Sequence, residues 1–327
     1  MTPKGRLRVG QIGAGCGAQL YLRALVDSPH VGDVYLAEPD EAARQALVRP
    51  WGVIKRAVAD YAELLAEPSV DVIHLSVPPV QAPELALAAL AAGKPVILQG
   101  PPALSLRAWE VVVRAAEAAA LPLLVGMPQL AHPALIRARE LAEDGEIGPL
   151  LLGRCLIAGA DALVADGCEH PEQDAQHFAA IYQGAYVLQY VLGPAETVLA
   201  ESAPECAAAL LTHGDAVLGE IAVTTEEEGA GAQEVSLVGR QGMLLAREAP
   251  DDELPLLLTR GHETTPIPVP LPLTVAPWLA TRMMVGCLDA LVHGLEPPVP
   301  LADVRAALAT ALAALDAAQL GHRVRIL

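Results

Sequence analysis

Near the start of the chain an apolar strand breaks into closely spaced glycines: residues 9 to 18 read Val-Gly-Gln-Ile-Gly-Ala-Gly-Cys-Gly-Ala. Few tasks other than cradling the pyrophosphate of a dinucleotide require that pattern. Gly13 permits a tight turn, and Gly15 lets the backbone approach the phosphate oxygens. Gly17 belongs to the same turn, and Ala18, at the third small position, lets the following helix lie close to the strand. A helix from Cys16 through Val26 then points its unpaired N–H groups and positive dipole end at the anion, with Cys16 serving through its backbone N–H. A second strand, Asp33-Val-Tyr-Leu-Ala-Glu38, ends in a carboxylate about twenty residues on. Glu38 is placed to accept hydrogen bonds from the adenosine ribose hydroxyls, and its charge repels a 2′-phosphate. NAD is therefore expected, with NADP less favoured. Asp40, two residues further, is the competing candidate for that ribose contact.

At 327 residues the chain predicts about two domains with real cores. Acidic groups outnumber Lys and Arg by 39 to 21, and the net charge of −18 argues against nucleic acid or an anionic membrane as partner. Five cysteines, odd in number and without CxxC spacing, argue against a disulfide framework or zinc ribbon and fit a reducing cytosol. The first strand begins within about ten residues of Met1, which leaves no room for a signal peptide. Charges or prolines interrupt every apolar stretch before membrane-spanning length. A soluble cytoplasmic protein is expected.

The first third alternates short apolar strands with amphipathic helices, the pattern of a doubly wound parallel sheet. Strands are predicted at Leu7–Ile12, Val34–Glu38, near Val53–Arg56, Val70–Val77, Pro95–Gln99 and Leu121–Val125. Helices are predicted at about Ala18–Val26, Asp40–Val48, Tyr61–Glu67, Ala82–Ala92 and Leu106–Ala119. After Gly126 the character changes. A helix near Pro133–Asp144 precedes antiparallel strands at Ala216–Thr225, Glu234–Val238 and Met243–Arg247. Asp251 to Pro272 is Pro-rich and reads as an irregular loop with a strand near Leu256–Thr259. Helices near Trp278–His293 and Ala302–Gly321 close the chain. The expected division is residues 1–125, an α/β nucleotide-binding domain, and 126–327, an α+β domain.

With these landmarks in place the chain resembles the glucose–fructose oxidoreductase and inositol dehydrogenase (Gfo/Idh/MocA) family. The matching runs are Gly10-Gln-Ile-Gly-Ala-Gly15, Ala37-Glu-Pro-Asp40, Ser76-Val-Pro-Pro79 and Ala86-Leu-Ala-Ala-Leu-Ala-Ala-Gly-Lys-Pro95. Gly145-Glu-Ile-Gly-Pro149, Tyr190-Val-Leu-Gly193 and the helix from Ala302 to Gly321 follow. The resemblance implies a Rossmann domain followed by a domain built on a large open, mostly antiparallel sheet, which bears a substrate pocket and often an oligomer interface. It implies a homo-dimer or homo-tetramer acting on a sugar, cyclitol or similar polyol, with Ser76, Pro78 and Gln99 at the cofactor.

The residues that carry chemistry in relatives are altered. Where the family has Glu-Lys-Pro after the fifth strand, this chain has Gln99-Gly100-Pro101. Ala179, Gln183 and Tyr186 stand where relatives place Asp, His and a further Asp on a second-domain helix. Pro128-Gln-Leu130 replaces Asn-Arg-Arg. In relatives the peptide before the retained proline tends to be cis, so a cis Gly100–Pro101 bond is expected.

Candidate substitutes lie in Glu169-His-Pro-Glu-Gln-Asp-Ala-Gln-His177. His177 is a candidate general base, set against the reading of a solvated histidine at a helix start. Cys168, His170, Asp174 and His177 could bind zinc, but a charged loop explains them and no metal is expected. Tyr182 and Tyr186, at i and i+4, offer a phenol near substrate or a core aromatic pair. Cys155 and Cys287 read as buried small hydrophobes.

Two functions follow. The first is an NAD(P)-dependent oxidoreductase transferring hydride to or from a small polar sugar, cyclitol or related carbonyl compound, with an altered proton relay in which Gln183 orients a hydroxyl. The second is a catalytically inactive NAD-binding or ligand-sensing protein of the same fold.

Overall fold

A computed structural model describes residues 6–14, 17–51, 54–159, 173–225, 232–248, 255–272 and 275–327. Gly15, Cys16, Cys168, His170 and the side chain of Asp174 lie outside the described set. The chain forms two compact units: Met1–Pro128 with Ala276–Leu301, and Gln129–Val275 with Ala302–Leu327.

The first unit holds six strands, β1 (Leu7–Ile12), β2 (Val31–Ala37), β3 (Ile54–Val58), β4 (Val72–Leu75), β5 (Val96–Gln99) and β6 (Leu123–Gly126). They pair in the order β3-β2-β1-β4-β5-β6, all parallel. That order is the doubly wound arrangement, in which ligands bind beyond the carboxyl ends of the strands where the order reverses at β1. β4 (Val-Ile-His-Leu) is buried throughout, as helices on both faces of a parallel sheet require. The helices are α1 (Ala18–Asp27), α2 (Glu41–Val48), α3 (Tyr61–Leu65), α4 (Ala82–Ala91) and α5 (Leu106–Ala119). Short polar residues start three of them: Asp40 accepts from the Ala43 amide at 2.7 Å, Asp60 from Ala62 at 2.8 Å and Ser105 from Ala108 at 3.2 Å.

In the second unit come α6 (Pro133–Glu143), β7 (Leu150–Ala158), α7 (Gln173–Leu192), β8 (Ala195–Ala203), β9 (Cys206–His213), β10 (Leu218–Thr224), β11 (Ala232–Gly239), β12 (Met243–Glu248), β13 (Leu256–Arg260) and β14 (Glu263–Pro266). After them α8 (Val275–His293) lies within the first unit save for its first residue, and α9 (Leu301–Leu320) and β15 (Val324–Arg325) return to the second. The nine-stranded sheet runs β14-β13-β12-β11-β7-β10-β9-β8-β15 and is antiparallel except where β10 pairs β7.

Alternate residues of β7, β10 and β11 turn inward, among them Cys155, Ile157, Ile221, Val223, Val235 and Leu237. Helix α7 seals that face so closely that a Cβ on Gly184 would stand 2.6 Å from Ile221 Cγ2. Burial pushes the thiols of Cys155 and Cys287 up to about 12, so both behave as the small hydrophobes expected.

Two expectations change here. The Pro-rich stretch forms a hairpin, β13 against β14, closed by Gly261 at φ 59° and His262. His177 is 2% exposed, not solvated, with Nδ1 3.3 Å from the hydroxyl of Ser202 on β8. Its place in the first turns of α7, which packs onto the sheet, buries it.

One described helix, Val275–His293, is long and apolar enough to cross a membrane. Its Leu279, Ala280, Met283, Met284, Cys287 and Leu288 are buried in the protein instead.

Candidate functional site: the glycine turn and the acid at the end of the second strand

Strand β1 ends in a position only glycine can hold. Gly13 sits at φ +96°, and a Cβ there would overlap the Ser76 carbonyl oxygen and stand 2.6 Å from Val77 Cγ1. The Gly13 amide donates to the Ala37 carbonyl at 2.9 Å, and Ser76 donates from its amide to Ile12 at 2.9 Å. The backbone between β1 and β4 is thus as close as it can be. Gly17, at φ 75° and ψ −3°, occupies the cap position of α1, and among the described residues no side chain caps that helix. The first amides of α1 therefore remain available to an anion.

Inside the turn lies Gln11, fully buried. Its Nε2 donates to the Gly13 carbonyl at 3.3 Å and lies 3.5 Å from that of Ala18, so one amide braces both flanks of the loop.

Glu38 follows the last residue of β2. Oε2 accepts from the Ala14 amide at 2.7 Å and Oε1 from the Asp40 amide at 2.9 Å. Arg44 of α2 donates from Nη1 to the Glu38 carbonyl at 2.5 Å and to that of Pro39 at 3.3 Å. The carboxylate is thereby fixed beside the glycine turn with acceptor capacity left over, since two oxygens offer about four lone-pair sites. Asp40 is spent on capping α2. Glu38, not Asp40, is the acid the local geometry presents.

Pro78 lies past the end of β4, where its carbonyl accepts from the amides of Gln81 and Ala82 and turns the chain into α4. Gln99, at the end of β5, points its amide inward, Nε2 lying 2.8 Å from Nε2 of His74. Burial pushes the His74 pKa down to about 3, so the imidazole is neutral. Tyr21 of α1 packs on that ring with centroids 5.5 Å apart. The Gly100–Pro101 peptide is cis, as expected.

In the second unit, Gln183 of α7 donates from Nε2 to Oε1 of Gln233 on β11 at 2.7 Å. Tyr182 and Tyr186 are buried, ring centroids 6.4 Å apart, and desolvation raises both phenol pKa values. They form the core pair. His177 lies six residues before Gln183, roughly 9 Å along the helix axis, so the two are not brought together.

Sequence reasoning missed Gln11, His74, Arg44 and Gln233. A signal for the first two exists: each is a polar residue near the carboxyl end of a mostly apolar strand, and the two are register partners on β1 and β4.

Two features here suit an anionic, sugar-bearing ligand: a helix start with no side-chain cap among the described residues, and a carboxylate fixed beside the glycine turn. Residues 7–127 match the GFO_IDH_MocA family described as "Oxidoreductase family, NAD-binding Rossmann fold". The dehydrogenase aclE of Aspergillus oryzae (strain ATCC 42149 / RIB 40) is 27% identical over 163 residues, a match that spans 46% of this chain and 44% of the relative's length. Among solved structures, an oxidoreductase from Agrobacterium radiobacter in complex with NAD+, L-tartaric acid and magnesium aligns at TM-score 0.81, 21% identity and 98% of each chain. Levoglucosan dehydrogenase in complex with NADH aligns at TM-score 0.84 and 17% identity, over 98% of this chain and 99% of its own. An oxidoreductase domain protein from Kribbella flavida aligns at TM-score 0.84 and 20% identity, over 99% and 100%. These likenesses span both units and establish a shared fold. The likeness to the GFO/IDH/MocA oxidoreductase family, described by its NAD-binding Rossmann fold, is thus carried by residues 7–127 of the first unit.

Proposed function

We propose that this protein is an NAD-dependent oxidoreductase moving hydride to or from a small polar substrate of the sugar, cyclitol or related carbonyl class, through a proton relay unlike that of its relatives. The observation that carries the reading is the Glu38 carboxylate held at the glycine turn by the Ala14 and Asp40 amides. The nicotinamide cofactor, when bound, supplies the hydride acceptor or donor. Around it the chain's own groups bind and orient. The Gly13 turn and the start of α1 take the pyrophosphate, with Gly15, Cys16, Gly17 and Ala18 contributing backbone. Glu38 takes the ribose hydroxyls, which favours NAD over NADP.

Gln183, fixed by Gln233, orients a substrate hydroxyl. A carboxamide donates and accepts hydrogen bonds but cannot shuttle a proton near neutral pH. The hydroxyl proton therefore passes to solvent or to another group of the substrate. Doing without a positioned acid–base group costs ~10²–10⁴-fold, or about 3 to 5 kcal/mol of barrier, so turnover is slow. Levoglucosan dehydrogenase and the tartrate-bound oxidoreductase support a small polyhydroxylated or hydroxy-acid substrate.

A second reading, a catalytically silent NAD-binding or ligand-sensing protein, draws on Gly100, which offers no side chain where relatives have lysine, and on Ala179 and Tyr186, which replace acids. Calorimetry with NAD+ and NADH, followed by single-turnover absorbance at saturating protein against sugars, inositols and conjugated carbonyls, separates the two. Binding with turnover supports the enzyme, binding with flat traces supports the sensor, and no heat with either cofactor sinks both. We place the protein in the cytoplasm as a homo-dimer or homo-tetramer. Half-exposed Leu152, Leu156 and Leu245 and the exposed Leu218 on the sheet face away from α7 favour a covering by a second copy.

A further inference from the structure

Helix α8 carries Asp289 and His293 one turn apart on a single face, and His30 in the turn between α1 and β2 meets them. His30 Nε2 lies 2.9 Å from Asp289 Oδ1, and His293 Nε2 lies 3.8 Å from the same oxygen. All three ligand atoms fall within 4.8 Å of one another. The two imidazole rings stand edge to face, centroids 5.6 Å apart at 76°.

A tetrahedral zinc ion with bonds of about 2.0–2.1 Å sets its ligand atoms roughly 3.4 Å apart. The two histidine–aspartate spans fall on either side of that value, so small side-chain rotations bring both to it. Two imidazoles and one carboxylate form a nitrogen-rich, borderline-soft set that suits zinc better than magnesium or calcium. Residues at i and i+4 on one helix present both ligands to the same side, as a metal requires. Side-chain exposures of 20%, 31% and 54% for His30, Asp289 and His293 leave the outer side of the cluster open to a water as fourth ligand.

The position separates this cluster from the dinucleotide. His30 immediately precedes β2, and its carbonyl accepts from the Leu7 amide at 2.6 Å, which places it at the amino edge of the parallel sheet. Glu38 lies beyond the other end of the same strand, roughly 26–27 Å away along the chain. The geometry points to a zinc site at which His30, Asp289 and His293 bind one ion and cross-tie the returning helix α8 to the amino edge of the six-stranded sheet. Residues far apart in sequence are thereby joined in a single coordination sphere, and binding stabilises the fold without touching the reaction.

The test uses the tag-free, full-length protein stripped with chelator. Calorimetry with Zn(II) should give one ion per chain. Co(II) should produce the visible bands of a four-coordinate nitrogen and oxygen site, without thiolate charge-transfer absorption. Zinc at about a hundredfold excess over its dissociation constant should raise Tm by roughly 5–10 °C. Asp289→Asn and His30→Gln should each weaken zinc by about tenfold or more, while the metal-free variants keep the circular dichroism spectrum and NAD+ affinity of the parent. No uptake, thiolate absorption with Co(II), or undiminished zinc affinity in a His30→Gln/His293→Gln variant each overturns the assignment. Should a variant fail to fold, the stoichiometry and cobalt spectrum of the unsubstituted protein decide alone.

Discussion

Replacing Glu38 by glutamine should invert the cofactor preference, and the structure sets the size of the effect. The carboxylate accepts two backbone amides, from Ala14 at 2.7 Å and Asp40 at 2.9 Å. Glutamine keeps one acceptor oxygen and turns an N–H₂ toward the other amide, leaving a donor facing a donor. Hydrogen bonds to a charged group contribute about 1.5–3 kcal/mol and neutral ones about 0.5–1.5, so the ribose contact loses about 1–2 kcal/mol. NAD+ affinity should fall roughly 5- to 30-fold. For NADP+ the sign reverses. Two like charges about 4 Å apart repel by about 1 kcal/mol in water and about 4 at an effective dielectric of 20. Removing that repulsion should improve NADP+ binding about 5-fold at the least. Arg44, already hydrogen-bonded to the Glu38 carbonyl, supplies a cation for the added phosphate. Calorimetric titration of both cofactors against parent and Glu38→Gln, at low salt and at 0.15 M, reads both affinities directly. If the ratio of NAD+ to NADP+ affinity moves by less than about threefold, Glu38 does not hold the ribose and the reasoning fails.

Gly184→Ala should lower Tm by roughly 2–12 °C, because its Cβ would stand 2.6 Å from Ile221 Cγ2 and overpacking costs about 1–3 kcal/mol; a thermal melt checks it, and an unchanged Tm would mean that α7 is not seated on β10 as described. Gln183→Ala should cut turnover of any substrate found by at least about tenfold while leaving NAD+ affinity unchanged, as paired kinetics and calorimetry would report. Stability should decline as the medium is acidified. The folded pKa of His74 is depressed to about 3, so its contribution is fully present above the unfolded value near 6.5 and is lost progressively as pH falls between the two, at up to about 1.4 kcal/mol per unit. Denaturant titrations at pH 7.5, 6.0 and 5.0 should show that slope, and His74→Asn should make it shallower, the buried His132 and His213 supplying part of the rest; equal slopes in parent and variant would refute a buried neutral imidazole.

The first unit was legible because its signals are local. Strand, glycine turn, helix, strand and acid follow one another within about thirty residues, and each element carries its own start and stop chemistry, such as the caps at Asp40 and Ser105. Much of the second sheet was not. β8 and β9 read Ala-Glu-Thr-Val-Leu-Ala-Glu-Ser-Ala and Cys-Ala-Ala-Ala-Leu-Leu-Thr-His, alanine-rich segments whose intrinsic preference is not for strand. They become strands because each pairs with its neighbours and buries alternate residues, a tertiary effect. The burial of His177 depends likewise on the packing of α7 against the sheet, and the partner of Gln183 lies 50 residues away. The cluster of His30, Asp289 and His293 is only half local: Asp289 and His293 are one helical turn apart, but His30 comes from more than 250 residues earlier and nothing in the sequence joins it to them.

The division of the chain has a consequence for how the protein is made. The nucleotide-binding half is interrupted in sequence, because Ala276–Leu301 belongs to it while most of the intervening residues build the other half. A fragment stopping at Pro128 would lack the helix that buries Met283, Met284, Cys287 and Leu288. During synthesis, then, the amino-terminal half must wait, its apolar surface uncovered, until the ribosome has translated through the whole intervening stretch of the second unit.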